Sequence, residues 1–216
     1  MDYNTESNPD DFIKHQGDIY RNAFVTLILL GVNVIIFLLG PIVGDVMYNK
    51  GALVTYRVLM EGEFYRIFTA MFLHAGIEHL INNMLQLVIV GAIVEQYTGH
   101  SFFIIMYLIS GIFGNLLSMA YEVRNNLNWV SVGASGAIMG IVGFMVIWLV
   151  INRRKFIQNK SLMMRLGLLA VFLIYTCFFQ EGANTLAHLG GFLTGGVFGI
   201  INIVLLKNRK NMEGIA

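Results

Sequence analysis

The chain has 216 residues, 56% of them hydrophobic and 12% charged, with a formal net charge of +1 and a mean hydropathy of +0.68. An ordinary soluble domain carries about twice that charged fraction, and a single domain of this length could not hide so much apolar surface from water. A soluble enzyme or binding module is therefore excluded, and an all-α membrane protein is expected.

Residues 1–22 hold five acids (Asp2, Glu6, Asp10, Asp11, Asp18) against Lys14 and Arg21. The apolar run that follows is longer than the core of a cleavable signal, so 1–22 reads as a short cytosolic tail. A membrane-spanning helix needs about 20 mostly apolar residues. The runs 23–43, 101–121, 133–151 and 182–206 qualify, the last interrupted only by His188. The runs 80–94 and 166–180 are shorter; the former crosses if His79 and residues 95–99 complete its helix. The result is a six-transmembrane-helix bundle over 23–206, with a long first connection at 44–78 and a tail at 207–216. Cys177, the single cysteine, lies in the fifth run, so no intramolecular disulfide is possible, and it reads as small apolar filler.

Basic residues in short loops mark the cytosolic side. The 153–165 connection carries Arg153, Arg154, Lys155, Lys160 and Arg165, and the C-terminal tail adds Lys207, Arg209 and Lys210. With Lys14 and Arg21, one side holds ten of the fourteen Lys and Arg residues. Both termini are expected in the cytosol, with 44–78, 121–132 and 180–187 facing outward. The basic loop is a topology signal, and no nucleic-acid partner is expected. The short tails favour a bacterial plasma membrane, where the lipid bilayer is the surrounding medium.

Polar groups inside spans are costly and mark function by default. His79 and Asn83 fall in the first turns of span 2, Ser135 in the first turn of span 4, and His188 near the start of span 6. These spans run in the same direction, so three segments deliver two imidazoles, a carboxamide and a hydroxyl to one depth. Each residue alone has an ordinary reading: a serine bonded to its own backbone, a histidine or asparagine joining two helices. Together they suit nucleophilic catalysis. A serine hydroxyl needs a base to take its proton, and histidine is the usual one. The oxyanion then needs donors, which His79, Asn83 and the Ser135 backbone N–H can supply. No intramembrane Asp is placed to orient His188, so a Ser135–His188 dyad is expected. Gly191, Gly195 and Gly199 form a stripe on span 6, and Gly136 and Gly140 a second on span 4. Such stripes let two backbones pack closely in lipid.

These segments resemble the rhomboid intramembrane serine proteases. The resemblance rests on residues 74–83 (His-Ala-Gly-Ile-Glu-His-Leu-Ile-Asn-Asn), 133–136 (Gly-Ala-Ser-Gly) and 187–195 (Ala-His-Leu-Gly-Gly-Phe-Leu-Thr-Gly). Tyr65-Arg66 looks like the family's aromatic-Arg pair, and residues 95–99 like its acidic-to-glycine turn. The resemblance implies that Ser135 is the nucleophile, His188 the general base, and His79 and Asn83 oxyanion ligands. It further implies a half-submerged hairpin at 44–78 and single-pass transmembrane substrates cut near the outer face. It implies no cofactor, and no metal site is expected. Met139 departs from the pattern, because an aromatic residue often sits four after the nucleophile. Three other readings compete: a catalytically silent rhomboid-like protein that binds membrane clients, a zinc protease using His74, His79 and Glu78, and a transporter. The client-binding relatives lack the serine or the histidine. The zinc reading lacks H-E-x-x-H, with His74 and His79 five apart and off a common helix face. The transporter lacks a broken helix pair with mid-membrane charges. Substrate identity and oligomeric state are not encoded in any motif.

Overall fold

The computed structural model describes residues 17–153 and 182–208, with positions 164, 168, 170–172 and 175 between them. The predicted fifth span at 166–180, including Cys177, and most of both tails lie outside the described residues. Five long helices are present among the described residues. They are α1 (Phe24–Val43), α2 (Ile77–Thr98), α3 (His100–Asn125), α4 (Ser135–Ile151) and α5 (Thr185–Ile200), which continues through Ile201–Leu205. Four of them are long and apolar enough to cross a membrane, and Ser135–Ile151 is a shorter apolar helix. The predicted windows and the helices coincide except at their ends. Helix α3 runs on to Asn125 and stops at Asn126, which adopts a left-handed conformation at φ 54°. Helix α5 starts at Thr185, three residues later than the apolar run, because Asn184 caps it.

The first connection is not a simple hairpin. It is a chain of short helical turns, Val46–Gly51, Thr55–Met60, Arg66–Thr69 and Ala70–Phe72. One two-residue strand, Leu53–Val54, pairs antiparallel with Val130–Ser131, Leu53 opposite Ser131. That pairing ties the connection to the loop just ahead of α4. Arg66 organises the segment from inside. It is fully buried, and its guanidinium donates to the Asn49 and Ala52 carbonyls, each at 2.7 Å, and to Glu63 at 2.5 Å. A buried guanidinium needs such partners, because leaving its donors bare is costly.

Helix α1 exposes most of its length and is held from one end. The buried Glu95 carboxylate of α2 accepts from the Val25 and Thr26 backbone N–H groups and from the Thr26 hydroxyl, at 2.7–2.8 Å. A carboxylate on the unpaired N–H groups of a helix start satisfies both charge and donors. His100 Nδ1 lies 2.6 Å from the same carboxylate.

Helices α3, α4 and α5 form the core, and glycines set how closely they approach. A Cβ on Gly191 would lie 1.8 Å from the Gly136 carbonyl oxygen, and one on Gly195 would lie 1.7 Å from that of Gly140. A Cβ on Gly143 would lie 2.1 Å from the Phe192 oxygen, and one on Gly114 would lie 2.5 Å from the Ala187 oxygen. No side chain fits at these positions without separating the helices. The two stripes seen in the sequence therefore meet, Gly191 on Gly136 and Gly195 on Gly140. At the third turn Gly199 faces the Ile147 side chain at 3.0 Å instead. Buried Phe103, Tyr107, Ile138, Ile141 and Phe144 pack in one apolar cluster with Leu87, Val90 and Val94 of α2.

Gly195→Ala is expected to lower stability by about 1–3 kcal/mol, the usual effect of overpacking. Val197, which is exposed on the same helix, should tolerate Ala with little change. Thermal unfolding of the two purified variants in one detergent measures the difference.

Candidate active site

The loop 132–134 and the first turn of α4 place Ser135. Gly133 adopts φ +132°, a backbone conformation that favours glycine, and its N–H donates to the Ala70 carbonyl at 2.9 Å. Ser135 opens α4, where the first N–H groups lack partners within the helix. His188 lies in the first turns of α5 and is almost fully buried. Its Nε2 is 2.8 Å from the Ser135 hydroxyl oxygen. Gly136 and Gly191, each next to or near one of these residues, are where the two backbones touch.

Helix α2 brings the other two residues. A Cβ on Gly133 would lie 2.8 Å from His79 Cε1, 2.9 Å from His79 Nε2 and 3.6 Å from Asn83 Nδ2. Both side chains thus press on the glycine two residues ahead of Ser135. Asn83 is buried, and its Nδ2 has no hydrogen-bond partner among the described residues. Buried donors are nearly always paired, so an orphan at this place is informative. All four residues singled out in the sequence are gathered around the 133–135 turn. Met139, one turn after Ser135, is buried in the main apolar cluster.

His74 corrects one expectation. Counting along a helix placed it off the face of His79, but α2 begins only at Ile77, so helical spacing does not govern His74. The two rings meet edge-on with centroids 5.2 Å apart. His74 is 1% exposed, neither ring nitrogen has a hydrogen-bond partner among the described residues, and its own carbonyl accepts from the Tyr48 hydroxyl. Burial, then the neighbouring His79, pushes its pKa down to about 4; the Phe72 backbone opposes this weakly. Among the described residues no cluster of three His, Cys, Asp or Glu side chains is placed to hold a metal ion.

A polar network beyond the helix ends was not foreseen from the sequence. Asn184 accepts from the Ala187 N–H at 3.0 Å and donates to Ser118 and Ser131 at 2.8 and 2.9 Å. Ser118 lies 3.3 Å from the buried Glu122, which also accepts from Thr55 and from the Trp129 N–H. The residue that caps the His188 helix is thereby tied to α3, to the 130–131 strand and, through Glu122, to the first connection. Asn184 precedes His188 by one turn, and a capping signal was available there; the reach to Ser118 and Ser131 was not.

A family model described as the rhomboid domain matches residues 61–204, two thirds of the chain. The chain belongs to the rhomboid family. RHOMBOID-like protein 1 of Arabidopsis thaliana is 33% identical over 184 residues, covering 83% of this chain and 46% of that protein. YdcA of Bacillus subtilis is 36% identical over 163 residues, 76% of this chain and 75% of that protein. Rhomboid-like protease 3 of Toxoplasma gondii is 37% identical over 139 residues, 62% of this chain and 49% of that protein. The chain spans about half the length of the plant relatives it matches. Membership makes this rhomboid a multi-pass helical membrane protein.

The neutral state of His74 gives a pH prediction. Folding holds its pKa near 4, below the ordinary value of about 6.5. The unfolded chain therefore binds more protons between those values, and stability falls as pH drops through that window. Thermal unfolding from pH 7 to 4.5 should fall more steeply for the natural chain than for His74→Gln.

Proposed function

We propose that this rhomboid is a serine endopeptidase that cuts single-pass transmembrane proteins near the outer end of their helices. The observation that carries the reading is the 2.8 Å approach of His188 Nε2 to the Ser135 hydroxyl, beside the crossing where Gly191 and Gly195 meet the Gly136 and Gly140 carbonyls. His188 takes the proton as Ser135 Oγ attacks the scissile carbonyl carbon, giving a tetrahedral oxyanion. The Ser135 N–H, His79 and the free Asn83 Nδ2 donate to that oxygen. Collapse returns the proton from His188 to the leaving amine and leaves an acyl-serine. Water, deprotonated by His188, then attacks the ester and releases the acid, restoring the serine.

Burial supports this reading as well as contact. Polar groups in a dry setting act more strongly than in water, and His188, Asn83 and His74 are all nearly inaccessible. The distribution of basic residues supports cytosolic termini and a site toward the outer face. In this reading the side chains and the Ser135 backbone N–H supply the chemistry, and no cofactor is called for.

Ser135→Ala and His188→Ala should each abolish cleavage of a transmembrane test substrate in reconstituted vesicles while thermal unfolding stays near that of the natural chain. The double variant should be no worse than either single one, because the pair acts as a unit. Cleavage by purified Ser135→Ala would overturn the mechanism. Stable substrate capture with no cleavage by the natural chain would favour the client-binding alternative.

His79→Ala and Asn83→Ala should slow turnover by about 10²–10³ without abolishing it, the range for losing one oxyanion donor. Chelators should leave the rate unchanged. Turnover assays on the three samples read these outcomes directly.

A further inference from the structure

An apolar cavity of about 710 Å³ lies between α1, the first connection and α3. Neither Ser135 nor His188 lines it. Leu29, Val32 and Ile36 of α1 form one wall at helical spacing, facing Ile104 and Leu108 of α3. Among the described residues only one charged side chain borders this space, Lys50. It is exposed, and among the described residues no carboxylate lies within ion-pair distance of it. The neighbouring cation, Arg66, is fully engaged by two carbonyls and Glu63.

We propose that this cavity holds one acyl chain of an anionic phospholipid, with the headgroup phosphate on the Lys50 ammonium. The wall is too apolar to keep ordered water, which needs two to four polar partners. In a membrane the medium that can fill such a space is hydrocarbon. The single unpaired cation at its border complements a phosphate headgroup rather than the uncharged flank of a substrate helix. The occupant would rest against Thr69 and Leu73. Between them lies Ala70, whose carbonyl receives the Gly133 N–H. Thr69 also donates to the Gly51 carbonyl at 2.8 Å. A lipid there braces the segment that sets the turn ahead of Ser135.

The test uses the full chain in mild detergent and native mass spectrometry with phosphatidylglycerol or phosphatidylcholine of equal chain length. The natural chain should retain one phosphatidylglycerol, and hold phosphatidylcholine about fivefold more weakly. Lys50→Gln should erase that preference. Val32→Trp, which fills the cavity, should lose both lipids, whereas Val150→Trp on the exposed face of α4 should keep them. Leu108→Phe serves as a second filling variant if Val32→Trp unfolds early. Undiminished phosphatidylglycerol retention by a folded filling variant overturns the proposal, as does equal affinity for the two lipids. So does a photo-crosslinker at position 32 that captures a transmembrane test substrate instead of lipid. Ser135→Ala should bind lipid as the natural chain does, so a failure of the protease reading leaves this result interpretable.

Discussion

The contact between the backbones of α4 and α5 is the constraint on which the rest of the structure depends. In lipid, helices gain little from burying apolar side chains, because the tails are equally apolar. Close packing and polar contacts must hold them together. Here Gly191 and Gly195 seat directly on the Gly136 and Gly140 carbonyls, at distances that leave no room for a Cβ. The helix pair that packs most closely is also the pair that bears Ser135 and His188. In the proposed mechanism, closeness needed for packing and closeness needed for proton transfer are the same geometric feature. A misplacement of about 1 Å can cost about 10²-fold in rate, so a single methyl on this face is a large perturbation.

Around that crossing the protein adds directional bonds where helices end. Asn184 fixes the start of α5, one turn from His188, and reaches Ser118 and Ser131. Gly133 is held by the Ala70 carbonyl and pressed by His79 and Asn83. Arg66 anchors the connection that supplies Ala70. Each bond joins segments far apart in the chain, so the site turn is fixed from three sides. The other end of the molecule follows a separate logic, in which Glu95 grips the start of α1 and leaves the remainder of that helix mostly facing lipid.

Much of this was legible in the sequence, for physical reasons. A span announces itself by length and apolarity. A four-residue glycine repeat announces a face, because 3.6 residues make a turn. His188, Ser135, His79 and Asn83 stood out because polar groups are rare within spans. The family resemblance rested on these same segments and agrees with the family match. What escaped was tertiary. Arg66 was marked by its resemblance to the family's aromatic-Arg pair, yet its burial depends on carbonyls at Asn49 and Ala52 that no periodicity places. His74 was judged by helical spacing in a stretch that is not helical. Glu122 lies near a helix end, where an acid is unremarkable until Thr55 and Trp129 arrive from other segments. The short helices and the strand pair of the first connection are selected by such contacts, not by pattern.

The central claim is that the glycine crossing activates Ser135 by holding His188 against it. Labelling by a fluorophosphonate, which reacts readily with an activated serine, measures this most directly. The natural chain should be modified at Ser135. His188→Ala should not be, and Gly195→Val should label far more slowly even when it inserts and unfolds cooperatively. Equal labelling rates in the natural chain and in either variant would contradict the account.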